Sequence, residues 1–192
     1  METTENLGLN PKKLALTNAL IWAIINIALF LVVYYVKPDL MASFGFAGIS
    51  ILVGLGLAVY FCIDMRKKLG GFWSFSTALS SIFIMFFTQA IIVLFFTTIF
   101  GKFIEPTYPE KMKEIATAIS QQLIEKMGLD QDQIDKAMAD SEVRIDKQFN
   151  PGIKEILISV VTIAIMYFIS ALIFAAIFKK EKPLFTNNLD QE

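Results

Sequence analysis

Long uncharged apolar runs dominate the pattern of hydrophobic and polar positions along the chain. A helix that crosses a bilayer core about 30 Å thick needs roughly 20 consecutive apolar residues. Four runs reach that length, at residues 14–36, 40–63, 72–100 and 156–178. We therefore predict an all-α fold, an integral membrane four-helix bundle that forms a single membrane domain over residues 1–192.

Residues 101–152, between the third and fourth runs, form the only long polar segment. Pro109 suits the first position of a helix, Gly128 suits the end of one, and Asp130 with Gln133 resembles the cap of a second. Apolar residues recur at helical spacing in both stretches: Met112, Ile115, Ala116, Ile119, Leu123 and Met127, then Ile134, Ala137 and Met138. We predict an amphipathic helical hairpin whose apolar faces bury against each other, on the membrane surface or on a partner.

Basic residues close to the apolar runs predict the orientation, because Lys and Arg concentrate on the cytoplasmic side of a membrane. The segment 101–152 holds seven Lys or Arg residues against ten Asp or Glu residues, and Lys37 lies in the short turn on the same side. The short segments of the other side are richer in positive charge: Lys12, Lys13, Arg66, Lys67, Lys68, Lys179, Lys180 and Lys182. We expect both termini in the cytoplasm and an extracytoplasmic hairpin.

Small and polar residues inside the runs predict where the helices contact one another. Ser50, Gly54 and Ala58 place a small residue at every fourth position, which lets a second helix approach closely. We expect this ladder to pack within the protein's own bundle, with homodimerisation as the alternative. Asn26 and Gln89 are expected to hydrogen-bond between helices rather than to line a polar path, each bond contributing about 0.6–2 kcal/mol.

Several short motifs follow one another in a specific order along nearly the whole chain. They are GGFWSF at 70–75, FIEP at 103–106, the acidic stretch 127–139, FNP at 149–151 and the Lys pair at 179–180. On these motifs the chain resembles a family of four-helix membrane proteins found mainly in Bacteroidetes and catalogued as domain of unknown function 4199. The resemblance implies a bacterial inner-membrane location and the same four-helix layout. It transfers no activity and no catalytic residue.

The chemistry available to the chain is narrow. Its net charge of −1 offers no basic field for nucleic acid, and it has no histidine and one cysteine, Cys62. The interiors of the four runs hold no ionisable side chain, which argues against a proton relay, a voltage sensor and most ion-coupled transport. Asp130, Asp132 and Asp135 lack the Gly and Glu that complete a calcium-binding loop. We therefore expect no enzyme, no catalytic residue, no cofactor and no metal.

The function most consistent with these patterns is that of a non-enzymatic accessory or interaction component of the inner membrane. Beyond the lipid bilayer, its partner would be a membrane or periplasmic protein that binds residues 108–148. The alternative is a subunit of an oligomeric small-solute transporter or pore, because four helices alone rarely enclose a wide path. A membrane-embedded enzyme is the least favoured hypothesis, and the sequence leaves homo-oligomerisation open.

Overall fold

The computed structural model describes residues 10–181, so Lys182 and the two terminal tails lie outside the described residues. Six α-helices follow in order: α1 (Pro11–Val36), α2 (Phe44–Lys68), α3 (Phe75–Ile99), α4 (Tyr108–Lys126), α5 (Gln131–Phe149) and α6 (Ile153–Phe178). A 3-10 turn (Pro38–Ala42) joins α1 to α2, and a π-helical turn (Phe100–Ile104) extends α3. The all-α prediction is confirmed. Four helices, α1, α2, α6 and α3 with its π-helical turn, are long and apolar enough to cross a membrane.

The third span is the centre of the arrangement. α3 lies between α1 and α6 and contacts both extensively, whereas α2 packs mainly through its C-terminal half. There the Trp22 ring of α1 stacks on Phe61 of α2, with ring centroids 5.7 Å apart, and meets Phe86 of α3 edge-on at 5.6 Å. The N-terminal half of α2 leaves large apolar residues exposed, as a helix surrounded by lipid does.

The chain reverses sharply between α2 and α3. Gly70 and Gly71 have φ values of 81° and 83°, in the left-handed region that glycine adopts without steric cost. Two backbone hydrogen bonds then join the start of α3 to the end of α6. The Trp73 amide donates to the Lys180 carbonyl at 2.7 Å, and the Lys180 amide donates to the Trp73 carbonyl at 2.8 Å. Residues 72–74, which we predicted as part of the span, therefore precede the helix, which begins at Phe75.

This bridge gathers the predicted topology residues at one end of the molecule, which we call the basic end. These residues are Arg66, Lys67, Lys68, Lys179 and Lys180. Lys68 pairs with Asp64 at 2.8 Å, and the ammonium groups of Lys179 and Lys180 each lie 5.8 Å from the centroid of an aromatic ring. The opposite end carries α4 and α5, here called the hairpin end.

The two helices of the hairpin pack against each other. Gly128, with φ of 67°, ends α4, and the Asp130 side chain caps α5 by accepting a hydrogen bond from the Gln133 amide at 2.9 Å. Ile124 of α4 and Ile145 of α5 are buried. Contact between the two helices, the first of the three ways to bury the amphipathic faces, therefore accounts for part of those faces.

Candidate functional site

A chain of hydrogen bonds joins polar side chains of three spans. The Asn26 amide donates to Gln89 Oε1 at 3.0 Å, and the Gln89 amide donates to the Tyr167 hydroxyl at 3.3 Å. These hydrogen bonds thus link α1, α3 and α6 through polar side chains that would be costly to leave unpaired in lipid. Sequence analysis named Asn26 and Gln89 but missed Tyr167, because nothing in the pattern of α6 shows which helix its hydroxyl faces.

The predicted ladder of small residues divides into two parts. Ala58 is fully packed against the core, whereas Ser50 and Gly54 are half-buried. A Cβ atom added to Gly54 would meet nothing within 4 Å, and the same holds for Gly48 and Gly56. Within the described chain, the close approach that the ladder permits is therefore used at Ala58 and not at Gly54.

An aromatic cluster fixes the hairpin to the spans. The rings of Tyr34 (α1), Phe100 (π-helical turn) and Tyr108 (α4) meet pairwise at centroid distances of 5.4–5.5 Å. Further rings contact this triad, and we call the whole set the aromatic dock: Phe30, Tyr34, Phe96, Phe100, Tyr108 and Phe149. Since the set combines α1, α3 and both hairpin helices, it holds the base of the hairpin in one position.

Gly101 makes the dock possible by letting Tyr108 lie directly on the backbone. A Cβ at this position would lie 2.9 Å from Tyr108 Cδ1 and 3.4 Å from Pro109 Cγ. The π-helical turn presents this glycine, and it closes with the Glu105 amide donating to the Phe100 carbonyl at 2.7 Å. Burial and the neighbouring Tyr34 hydroxyl raise the pKa of Tyr108 to about 12, so its side chain is neutral at physiological pH.

An open cavity of about 1140 Å³ lies beneath the hairpin, and we call it the basal groove. It is formed by the end of α3, the base of the hairpin and the first turns of α6. Five cationic side chains line it, Lys102, Lys113, Arg144, Lys147 and Lys154, together with the carboxylates of Glu110 and Glu155. Leu94, Ile156 and Ile158 supply apolar walls. The groove is therefore basic around its rim and apolar where it meets the spans.

The far end of the hairpin has the opposite charge. Residues 121–140, the hairpin tip, contain five acidic residues against two lysines: Glu125, Asp130, Asp132, Asp135 and Asp140, with Lys126 and Lys136. Beside them, Leu123 and Met127 of α4 are exposed, Met127 by 66%. The hairpin thus combines an acidic, partly apolar tip with a basic base.

The residues that build this site come from distant parts of the sequence, so sequence analysis missed both the dock and the groove. Aromatic residues at the ends of two predicted spans were the one available signal. Across residues 10–181, no group of three His, Cys, Asp or Glu side chains is placed to hold a metal ion.

Comparison with known proteins gives one match. The family model described as "Protein of unknown function (DUF4199)" matches residues 17–180, which include α1 from Thr17 onward, the whole of α2, α3 and α6, and the hairpin. No curated protein and no solved structure matches the chain.

Proposed function

The chain belongs to the DUF4199 family of proteins of unknown function, and we propose that it is a non-enzymatic membrane component that holds a helical hairpin in a fixed position for a protein partner. The partner binds within residues 108–148, chiefly at the hairpin tip. The protein resides in the bacterial inner membrane with both termini in the cytoplasm, so the hairpin and its partner meet on the extracytoplasmic side.

The observation that carries this proposal is the aromatic dock. A hairpin that only linked two spans would need no buried contacts with them, yet Tyr108 and Met112 of α4 are buried against α1 and the π-helical turn. Each hairpin helix has 19 residues and is therefore about 28 Å long. Fixing the base of such a rigid pair determines the position of its tip, which suits a surface that another protein must find.

The chemistry of the tip indicates the character of the partner. Asp132 and Asp135 lie on the first turns of α5, close in sequence to the exposed side chains of Leu123 and Met127 at the end of α4. Protein interfaces combine an apolar centre with a polar rim, and charge complementarity guides their association. A partner with basic residues around an apolar contact would match this tip.

The orientation follows from charge near the spans. Arg66, Lys67 and Lys68 lie in the last turn of α2, and Lys179 and Lys180 follow α6, whereas the hairpin tip is acidic. Cationic residues close to spans remain preferentially in the cytoplasm. A cysteine introduced at the hairpin tip should therefore react with a membrane-impermeant maleimide in intact cells whose outer membrane has been permeabilised. A cysteine that replaces Lys67 should not react under the same conditions.

The test of the proposal is purification in mild detergent after brief cross-linking in the native membrane. We expect a specific protein to co-purify with the wild type and to be lost from the variant Met127→Ser/Asp132→Asn/Asp135→Asn. The matched control is Met166→Ser/Glu114→Gln/Glu142→Gln, which changes an exposed methionine of α6 and two exposed carboxylates of the hairpin outside its tip. Equal recovery of the partner with both variants would exclude the tip as the docking element.

A second candidate function, a subunit of an oligomeric transporter or pore, has one favourable observation. The N-terminal half of α2 exposes Gly45, Gly48 and Gly56, at which an added Cβ would meet nothing within 4 Å. A second copy could approach this face closely. Purified protein that forms oligomers and raises the flux of ions or small solutes into vesicles above protein-free controls would favour this function over the first.

A further inference from the structure

Most cations of the basal groove form no salt bridge with the described residues. Among the described residues, the two salt bridges are those of Lys68 with Asp64 and of Lys113 with Asp146. Lys102, Lys147 and Lys154 come from three different elements, the π-helical turn, α5 and α6, and converge on one cavity. Such convergence of exposed cations beside a membrane span is the pattern that attracts anionic lipid headgroups.

The carboxylates in the groove do not cancel this charge. Glu155 turns back toward the first turn of its own helix, since its Oε2 lies 2.7 Å from the position of an added Cβ on Gly152. A carboxylate there interacts favourably with the N-terminal end of the α6 dipole. Glu110 is the one other carboxylate among the lining residues, against five cations.

Two hydroxyl groups that line the groove are already engaged by their own helices. Thr98 donates to the Leu94 carbonyl at 2.8 Å, and Ser159 donates to the Glu155 carbonyl at 2.9 Å. The guanidinium of Arg144 likewise donates from Nε to the Asp140 carbonyl at 3.2 Å. The lysine ammonium groups and the Nη groups of Arg144 are therefore the main donors that remain for a ligand.

The apolar residues of the groove favour an amphiphile over a soluble anion as its ligand. Ile156 and Ile158 line the groove, and the exposed face of α6 continues from them through Leu157 and Val161 along a membrane-spanning helix. The cavity volume of about 1140 Å³ exceeds the roughly 300–1,000 Å³ of pockets for small molecules. A headgroup with the first part of its acyl chains would use both the charge and the apolar wall.

We propose that the basal groove binds one anionic phospholipid. Its phosphate lies among Lys102, Lys147 and Lys154, and its acyl chains follow the exposed face of α6 into the bilayer. The bound lipid would fill the space between the hairpin and the spans and neutralise the cations at the base of the hairpin. This inference does not depend on which side of the membrane the hairpin occupies or on whether a protein binds its tip.

The experiment is native mass spectrometry of delipidated protein in detergent, titrated with phosphatidylglycerol, phosphatidylcholine or glycerol phosphate. We expect one phosphatidylglycerol per chain, bound more tightly than phosphatidylcholine and not displaced by an equal concentration of glycerol phosphate. The variant Lys147→Gln/Lys154→Gln should bind it about thirtyfold more weakly, the factor that corresponds to about 1 kcal/mol for each charge removed.

The control variant is Lys126→Gln/Lys136→Gln, which removes the same charge from the hairpin tip, and it should bind the lipid like the wild type. Equal loss of binding in both variants would mean that net charge alone attracts the lipid, and the proposal would fail. Equal affinity for phosphatidylcholine would also overturn it, as would displacement by glycerol phosphate, which would identify a site for a soluble anion. The comparison of the three ligands on wild-type protein decides the question even if the groove variant does not fold.

Discussion

Replacing Tyr108 by alanine tests whether the aromatic dock holds the hairpin. The Tyr108 ring contacts the rings of Phe30, Tyr34, Phe100 and Phe149, with centroid distances between 5.5 and 6.2 Å. Truncating a buried aromatic side chain to alanine costs about 3–5 kcal/mol. Since Tyr108 joins the hairpin to the spans, we expect this loss to appear as easier separation of the hairpin base from α1 and α3.

The assay is hydrogen exchange of the α4 backbone amides in detergent, which reports local opening. A loss of about 3–5 kcal/mol raises the opening equilibrium by a factor of roughly 10²–10³ or more, so protection in the first turns of α4 should fall by that factor. Amides in the middle of α3 should be unchanged. Tyr108→Phe, which keeps the ring, should retain most of the protection.

Tyr60→Ala is the matched control, because Tyr60 is a 62% exposed tyrosine on α2 that contacts one ring, Phe61. We expect it to leave exchange in α4 unchanged. If Tyr108→Ala also left the α4 amides protected, the hairpin would be held by other contacts. The aromatic dock would then not fix the position of the hairpin tip.

Three further predictions concern the aromatic dock and the hydrogen bonds that join Asn26, Gln89 and Tyr167. Gly101→Ala should lower the free energy of unfolding of the purified protein by about 1–3 kcal/mol, because the new Cβ would clash with the Tyr108 ring. In a Tyr108→Ala background the same substitution should cost less, and an equal cost in both backgrounds would refute the clash. Asn26→Leu should cost about 0.6–2 kcal/mol by removing the hydrogen bond to Gln89, and a thermal unfolding midpoint equal to the wild type would show that the bond contributes nothing. The pKa of Tyr108 is raised from 10.0 to about 12, so its folding contribution is complete below pH 10 and is lost as pH rises through 12. Absorbance difference between the wild type and Tyr108→Phe should show its phenolate near pH 12, and ionisation at pH 10 would contradict the burial.

The sequence predicts the features that depend on local pattern. Uncharged runs longer than a bilayer core requires predict four spanning helices, and the Asp130 cap with the helical spacing around it predicts the hairpin. The start of α3 is displaced from residue 72 to Phe75 because the Trp73 backbone pairs with Lys180, a contact between residues far apart in the chain. No local pattern contains that information.

The site could not be predicted for the same reason. The helical period shows that Tyr108 begins an amphipathic helix but not that its ring meets Tyr34 and Phe100. The basal groove needs Lys102, Lys147 and Lys154 to converge from three elements, and each of them alone looks like an ordinary surface lysine. Hydrophobic spans are apolar all round, so their sequences give little information on which face meets which neighbour.

The bridge between Trp73 and Lys180 has a consequence for the order of events during synthesis. Its two hydrogen bonds join residues separated by more than half of the chain, and the second partner lies just after the last span. Chains fold from the N-terminal side as they are made, so α1, α2 and α3 can associate while α6 is still inside the ribosome. The bridge is then a final closure, made when the last span has entered the membrane, and a nascent chain arrested before Lys180 would keep the start of α3 open to quality-control proteases.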